Sequence, residues 1–368
     1  MSTMQNRLAR TLNAVHMEKV DKIPFSYSGP AYLAHAQGMK IGEYVSDFPK
    51  ATDAAIAFCK EHPGIDTIHT PIISPYALTT LWLSEVKVPG VDLSEDELWQ
   101  MHEIQRMEME DYEKIIKIGY RAWQAEYMAK IGNPQMKLGP FIQNSPITAQ
   151  RLVEEAGVLQ INGGNVGTPI EGFCGARQLM NFFMDIMEEP ELVKAAMDEA
   201  MKVIYADFVA QLDATKPVGS WVGGWRAAPE LMSHDTFMEF VWPYMEKLVY
   251  ACLDRNVLPI LHFDSCWESE LETIKTLPAK SCLLMLDGST DMRKARAVLD
   301  DRMALMGDVP ASMLAFGSEN QVYEYVTKLI DDVGPKTGLV VSSGCDCPLN
   351  AKKENVDAMI QATVDYVV

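Results

Sequence analysis

From Ser220 onward, short apolar runs alternate with helical patterns, and that alternation restricts the chain to a parallel α/β architecture. Ser220-Trp221-Val222-Gly223 reads as a strand. The stretch from Ser233 to Arg255 places Phe237, Phe240, Val241, Tyr244 and Leu248 near one helical face. Strands then fall at Val257 to Phe263, Cys282 to Leu286, Met303 to Met306 and Gly338 to Val341. Helices fall between and after them, at Trp267 to Leu277, Asp291 to Leu299, Glu319 to Val333 and Lys353 to Val367. Short connections of this kind imply parallel strands with right-handed crossovers. The strands are apolar throughout, as expected when both faces are buried. No Gly-rich dinucleotide turn follows any strand in the right context, which makes an open doubly wound sheet the weaker alternative. The predicted fold is α/β, a (β/α)8 TIM barrel with an N-terminal helical extension.

The first half is less regular. Ile65 to His69 and Met136 to Pro140 read as strands, and helical patterns run from Ser46 to Glu61 and from Glu95 to Ile131. Leu159 to Asn162 is a further strand. The Gly163-Gly164-Asn165-Val166-Gly167 run behind it lacks the Lys-Ser/Thr ending of a phosphate loop. With no low-complexity linker and no clean repeat, residues 1–368 read as one barrel domain. Residues 1–60 are taken as a mainly helical extension that caps one end.

The net charge of −19 would repel phosphate backbones and anionic membranes, so nucleic-acid and membrane partners are not expected. The start, Met1-Ser2-Thr3-Met4-Gln5-Asn6-Arg7, has no apolar core of signal-peptide type. Seven scattered cysteines argue against a disulfide framework, and a reducing cytoplasmic location is expected. Thiols kept reduced there are free to bind metal.

The polar residues of the second half cluster just after the strands, where barrel active sites are built. In a strand, residues two apart share a face, so His262 and Asp264 would point together at one strand end. Cys345 follows another strand. If those two strands are neighbours, an imidazole, a carboxylate and a thiolate converge, a set suited to Zn²⁺ with one position open. Cys266 and Cys347 are alternative thiolates. Glu171 is a candidate acid or fourth ligand. Asp287 and Asp308 are candidate ligands, acceptors behind the ligands, or helix caps. Trp221, Trp225 and Arg226 follow a strand and would line a pocket, with His69 at another strand end.

With these residues in place, the chain resembles the uroporphyrinogen decarboxylase superfamily, above all its cobalamin-dependent methyltransferase branch. Val20-Asp21-Lys22-Ile23-Pro24-Phe25 resembles the early Asp-Arg-Ile-Pro-Val signature. Phe240-Val241-Trp242-Pro243-Tyr244, Gly307-Asp308-Val309-Pro310, Gly344-Cys345-Asp346-Cys347-Pro348 and Glu354-Asn355-Val356-Asp357-Ala358-Met359 carry the rest. Two departures matter. Tyr27-Ser28-Gly29-Pro30-Ala31-Tyr32 stands where the decarboxylases carry an Arg-Gln-Ala-Gly-Arg-Tyr motif, so no arginine pair serves porphyrin carboxylates. Thiol-methylating members hold zinc with His-x-Cys and a distant Cys; here the middle position is Asp264. A carboxylate makes the site harder and favours an oxygen-bearing substrate.

The resemblance implies an enzyme that moves a methyl group from a methyl ether, of the methoxylated aromatic kind, to the Co(I) of a separate corrinoid protein. His262, Asp264 and Cys345 would be the zinc ligands. Asp264, Glu171 and Asp308 are the catalytic candidates; Trp221, Trp225, Arg226 and His69 are the substrate-binding ones. The corrinoid-binding Asp-x-His-x-x-Gly motif is absent, since His234-Asp235 lacks that spacing, so the cobalamin is expected on a partner. The rival readings are the reverse transfer from a methylcorrinoid to a thiol or tetrahydrofolate, a tetrapyrrole decarboxylase, and a non-enzymatic corrinoid- or porphyrin-binding protein.

Overall fold

The computed structural model describes residues 3–368, so Met1 and Ser2 of the start lie outside the described residues. Eleven strands form among the described residues. They are β1 (Ser26–Tyr27), β2 (Thr67–Ile68), β3 (Glu85–Lys87), β4 (Gln100–His102), β5 (Leu159–Gln160) and β6 (Asn162–Gly167). The rest are β7 (Gly219–Gly224), β8 (Leu258–Phe263), β9 (Leu283–Leu286), β10 (Ala304–Val309) and β11 (Leu339–Ser343). Strands β6 to β11 lie side by side in sequence order, all parallel. A second parallel group has the order β1-β2-β5.

Two links close these groups into a ring. Strands β5 and β6 are halves of one run interrupted only at Ile161, whose N–H donates to the Ile68 carbonyl at 2.9 Å. The first half pairs with β2 and the second with β7. On the other side Phe25 bridges to Val341, and the Val341 N–H donates to the Pro24 carbonyl at 2.9 Å. With β5–β6 counted once, eight parallel strands make a closed barrel; β3 and β4 form an antiparallel hairpin off the ring. The barrel strands β8, β9, β10 and β11 are buried along their whole length, which is why they read as apolar runs.

The helices follow from local signals. Helix Glu319–Val333 starts at a reciprocal capping box between Ser318 and Gln321 and buries Val322, Val326, Leu329, Ile330 and Val333. Asp47 caps helix Phe48–Glu61, and Asp291 caps Met292–Leu299. Helix Thr3–Val15 closes the N-terminal ends of the strands. Its Arg7 donates to the carbonyls of Pro63, Ala156 and Gly157, and its Arg10 pairs with Asp66. This puts the cap at the end opposite the polar strand termini.

Several expectations change. Met136 to Pro140 is not a strand: Pro134–Lys137 is a 3₁₀ turn, and Gly139 starts a helix to Ala156. Pro134 and Pro140 each fit the first turn of a helix, where a missing N–H costs nothing, and Met136 is exposed. The pattern from Glu95 to Ile131 contains β4 and two helices, Glu110–Ile118 and Tyr120–Lys130, parted at Gly119 with φ +85°. The pattern from Ser233 to Arg255 splits into His234–Phe240 and Trp242–Leu253, because Pro243 cannot continue the hydrogen-bond ladder. Gly163 to Gly167 belongs to β6 instead of a loop. Residues 3–60 are largely helical, but the first barrel strand, β1, already lies within them. No helix among the described residues is long and apolar enough to cross a membrane.

Candidate metal centre

His262 is the penultimate residue of β8 and is buried; Asp264 lies one residue past the strand end. Cys345 lies two residues past β11. These strands are not neighbours, as the sequence reading supposed, because β9 and β10 stand between them. The three side chains meet across the barrel mouth instead of along one strand pair. His262 Nε2 is 3.4 Å from Asp264 Oδ1 and 3.6 Å from Cys345 Sγ. One donor atom from each residue lies within 4.8 Å of the other two. Tetrahedral zinc with bonds of about 2.0–2.3 Å holds its donors roughly 3.3–3.8 Å apart. Two of the three separations already have that value, so the donor set fits one such ion.

The electrostatics fit as well. Burial would lower the His262 pKa, but hydrogen bonds to Asp264 and Cys345 outweigh it and raise it to about 10. Cys345 meets solvent, yet it is surrounded closely enough that burial pushes its thiol up, partly offset by His262. The metal-free cluster therefore holds protons that a cation of two charges would displace.

Of the other candidates, some reach the mouth and some do not. The half-buried Trp221 ring packs on the His262 ring with centroids 4.8 Å apart. Gly223 makes room for it: a Cβ there would stand 2.8 Å from the indole. Trp225 sits beneath the Arg226 guanidinium at 4.0 Å and edge-on to Trp82 at 4.5 Å. Arg226 also pairs with Glu103. His69 is buried just past β2, and burial together with the His262 charge lowers its pKa to about 3.

Glu171 is buried and its carboxylate is fully engaged. Oε1 accepts from the N–H groups of Trp225 at 2.9 Å and Ala227 at 3.1 Å, and Oε2 from that of Arg226 at 2.9 Å. Burial raises its pKa to about 7 against the pull of those three donors. In this arrangement it clamps the loop after β7 and is not turned to a metal. Glu171→Gln should set an amide NH₂ against a backbone N–H, a loss of about 1–3 kcal/mol. The expected result is faster amide exchange at residues 225–227 with unchanged zinc content, read by hydrogen exchange and metal analysis.

Asp308 faces away from the cluster: its Oδ1 accepts from Tyr325 of the outer helix Glu319–Val333 at 2.7 Å, and burial raises its pKa. Asp287 accepts from Ser265 and Ser289 N–H groups and shapes a turn. Cys347 is buried against Tyr27 and Gly29, and Cys266 lies in a separate cavity beside His234 and Glu230. Neither belongs to the donor cluster.

Sequence reasoning missed Asp346, Trp82 and Glu103. Asp346 opens into the mouth, accepts from Ser28 Oγ at 2.6 Å, and acts electrostatically on both His262 and Asp264. Its place inside the Cys-Asp-Cys run was the available signal. Trp82 and Glu103 reach the wall from distant segments, which no local pattern reports.

The chain matches the family model described as Uroporphyrinogen decarboxylase (URO-D) over residues 6–366. It is 29% identical over 180 residues to the uroporphyrinogen decarboxylase of Saccharophagus degradans, covering 48% of this chain and 49% of that one. It is 28% identical over 182 residues to that of Acinetobacter baumannii, with 48% and 49% covered. The chain thus spans about half the length of the curated relatives it matches. Among solved structures, a methyltransferase from Methanosarcina mazei superposes with a TM-score of 0.67 at 16% identity, over 97% of this chain and 98% of that one. At that identity the likeness is one of fold. A closed eight-stranded parallel barrel and a family match along nearly its whole length place this chain in the uroporphyrinogen decarboxylase family.

Proposed function

We propose that this protein is a zinc-dependent methyltransferase that moves a methyl group from a methyl ether to the Co(I) of a separate corrinoid protein. The observation that carries this reading is the convergence of one imidazole, one carboxylate and one thiol within 4.8 Å at the barrel mouth. His262, Asp264 and Cys345 would hold Zn²⁺. Bound there, the ion supplies Lewis acidity to the ether oxygen as the methyl group leaves. The carboxylate and the thiolate together would balance its two charges, so the ion and its three donors together would be neutral.

Around that position the chain builds an aromatic wall. Trp221, tilted against His262, would offer its indole to an aryl ring. Trp225 and Arg226 form the outer part, held by Glu171. Arg226 Nε is buried without a partner among the described residues, a donor available to a substrate oxygen. A methoxylated aromatic suits this wall. As the ether C–O bond breaks, the oxygen keeps the bonding pair and takes a proton from water, and the methyl group passes to the partner. Asp264 is the donor that would tune the site toward oxygen.

The test is reconstitution. Alone, the zinc-loaded protein should release no more than stoichiometric traces of phenol from a methoxylated aromatic. With a reduced corrinoid protein, phenol should accumulate in step with loss of the Co(I) spectrum. Sustained demethylation without any corrinoid would overturn the reading.

A further inference from the structure

Helix Leu179–Glu188 is apolar on two sides. Phe182 and Ile186 face inward and are buried, beside the Arg177–Asp185 ion pair at 2.7 Å. Met180, Met184 and Met187 face outward, 71%, 51% and 82% exposed. With the half-buried Phe183 they fall at i, i+3, i+4 and i+7, one continuous stripe on the helix surface. A helix that is apolar all round is normally enclosed, and this one is covered on one side only. Exposed methionines adapt their shape to a partner, and methionine and phenylalanine are enriched at protein interfaces.

The stripe is tied to the mouth wall. Helix Pro169–Arg177, which follows the C-terminal end of β6, leads directly into this one. The Gln178 amide donates to the Glu103 carbonyl at 3.2 Å, and the Asn181 amide to Gln105 Oε1 at 2.8 Å. The N–H groups of Arg106 and Met107 donate to the Ala176 carbonyl at 2.9 and 3.1 Å. Glu103 in turn pairs with Arg226 of the mouth wall. One short segment, residues 103–107, thus joins Arg226 to the helix that bears the stripe.

Charge decides what can cover it. Glu188, Glu189 and Glu191 are exposed just beyond Met187, and none is in an ion pair among the described residues. No Lys or Arg occurs from Gln178 to Val193. A second copy would bring the same glutamates and another net charge of −19. The face therefore suits a different protein, apolar at the centre of its contact and basic at the rim.

Resting on the corrinoid reading of the site, we infer that Met180, Phe183, Met184 and Met187 form the docking face for the corrinoid protein, with basic residues of that partner opposite Glu188, Glu189 and Glu191. Methyl transfer on that reading needs a second protein over the mouth, and this apolar surface is anchored to the mouth's wall.

Turnover with two Co(I) reagents tests this: a corrinoid protein carrying the Asp-x-His-x-x-Gly motif, and free cob(I)alamin, which needs no docking face. The proteins are wild type, the triple variant Met180→Gln/Met184→Gln/Met187→Gln, and Val367→Gln. Glutamine is a good helix former and the three methionines are exposed, so the helix should persist. Val367 is also exposed but lies at the other end of the barrel, after helix Lys353–Asp365, whose Val364 packs over Gly64 ahead of β2. The triple variant should raise the KM for the corrinoid protein about 10–100-fold and leave the reaction with free cob(I)alamin unchanged. Val367→Gln should match wild type with both. The wild-type KM should climb with salt for the corrinoid protein alone, and Glu188→Gln/Glu189→Gln/Glu191→Gln should flatten that climb. A triple variant with the wild-type KM for the corrinoid protein would overturn the inference. So would one equally impaired with both reagents, since the stripe would then be structural. A wild-type dimer that the triple variant splits would assign the stripe to a second copy and overturn it as well. A wild type inert with both reagents would instead overturn the corrinoid reading itself.

Discussion

His262→Ala and Cys345→Ser are each expected to strip most of the zinc from the purified protein and to abolish methyl transfer. On the zinc reading three side chains would share the ion, each at a fixed strand end. Cys347 is buried against Tyr27 and Gly29, and Cys266 lies in another cavity, so neither thiol stands in for Cys345. The loss should exceed the roughly 10–100-fold that removal of an outer partner costs. Asp264→Cys should keep zinc, since a thiolate also suits a tetrahedral site, but lower turnover on ethers through a weaker Lewis acid. The pH dependence has a definite sign. In the metal-free cluster His262 stays protonated up to about pH 10, and the Cys345 thiol is raised too. Zinc must displace those protons, so its affinity should climb as pH rises toward that value and fall in acid. Metal analysis after gel filtration, repeated across pH, checks both points; full zinc occupancy in His262→Ala and Cys345→Ser would remove the ligand assignment.

Gly175→Ala should be the most damaging single-methyl change in the fold. A Cβ at Gly175 would lie 1.7 Å from the Trp82 carbonyl oxygen and 2.5 Å from Ser84 Oγ. The obstacle is backbone, so no rotamer change relieves it. Helix Pro169–Arg177 is buried at every position and packs on helix Pro75–Trp82, leaving no room to withdraw. Overpacking of ordinary severity costs about 1–3 kcal/mol; an overlap this deep should exceed roughly 4 kcal/mol, the range of exceptional substitutions. The damage should also reach the mouth, since Glu171 on the same helix clamps residues 225–227 and Trp82 meets Trp225. Gly139→Ala is the control, with nothing within 4 Å of its Cβ position. Urea midpoints should fall sharply for the first and hold for the second.

The second half of the chain was legible because its strands are buried on both faces and its helices carry their own stop and start signals. Ser318 and Gln321 announce one helix start, and Glu319–Val333 was placed to the residue. The first half was not, because β1, β2 and β5 are only two residues long each and take their strand character from neighbours. Met136 and Leu138 show the opposite failure: alternation without burial. At the site, His262, Asp264 and Cys345 were readable from parity and position, but their route to one another was not. The same holds for Asp308, whose outward turn depends on Tyr325, and for Glu171, whose three donors come from a loop 54 to 56 positions away.

The seam between β11 and β1 sets an order on assembly. During synthesis β1 emerges first and must wait for the last strand, because its bridge from Phe25 reaches Val341. The same closing step brings the Cys347 N–H to the Ser28 carbonyl at 2.8 Å and Asp346 to Ser28 Oγ. Cys345 rides on that segment, 83 residues after His262. A nascent chain that stops short of β11 thus carries His262 and Asp264 but not the Cys345 thiol, and no closed wall. If the site takes zinc, metal competence would arrive only as the two ends of the polypeptide meet, and the ion would be acquired by finished barrels and refused by partial ones.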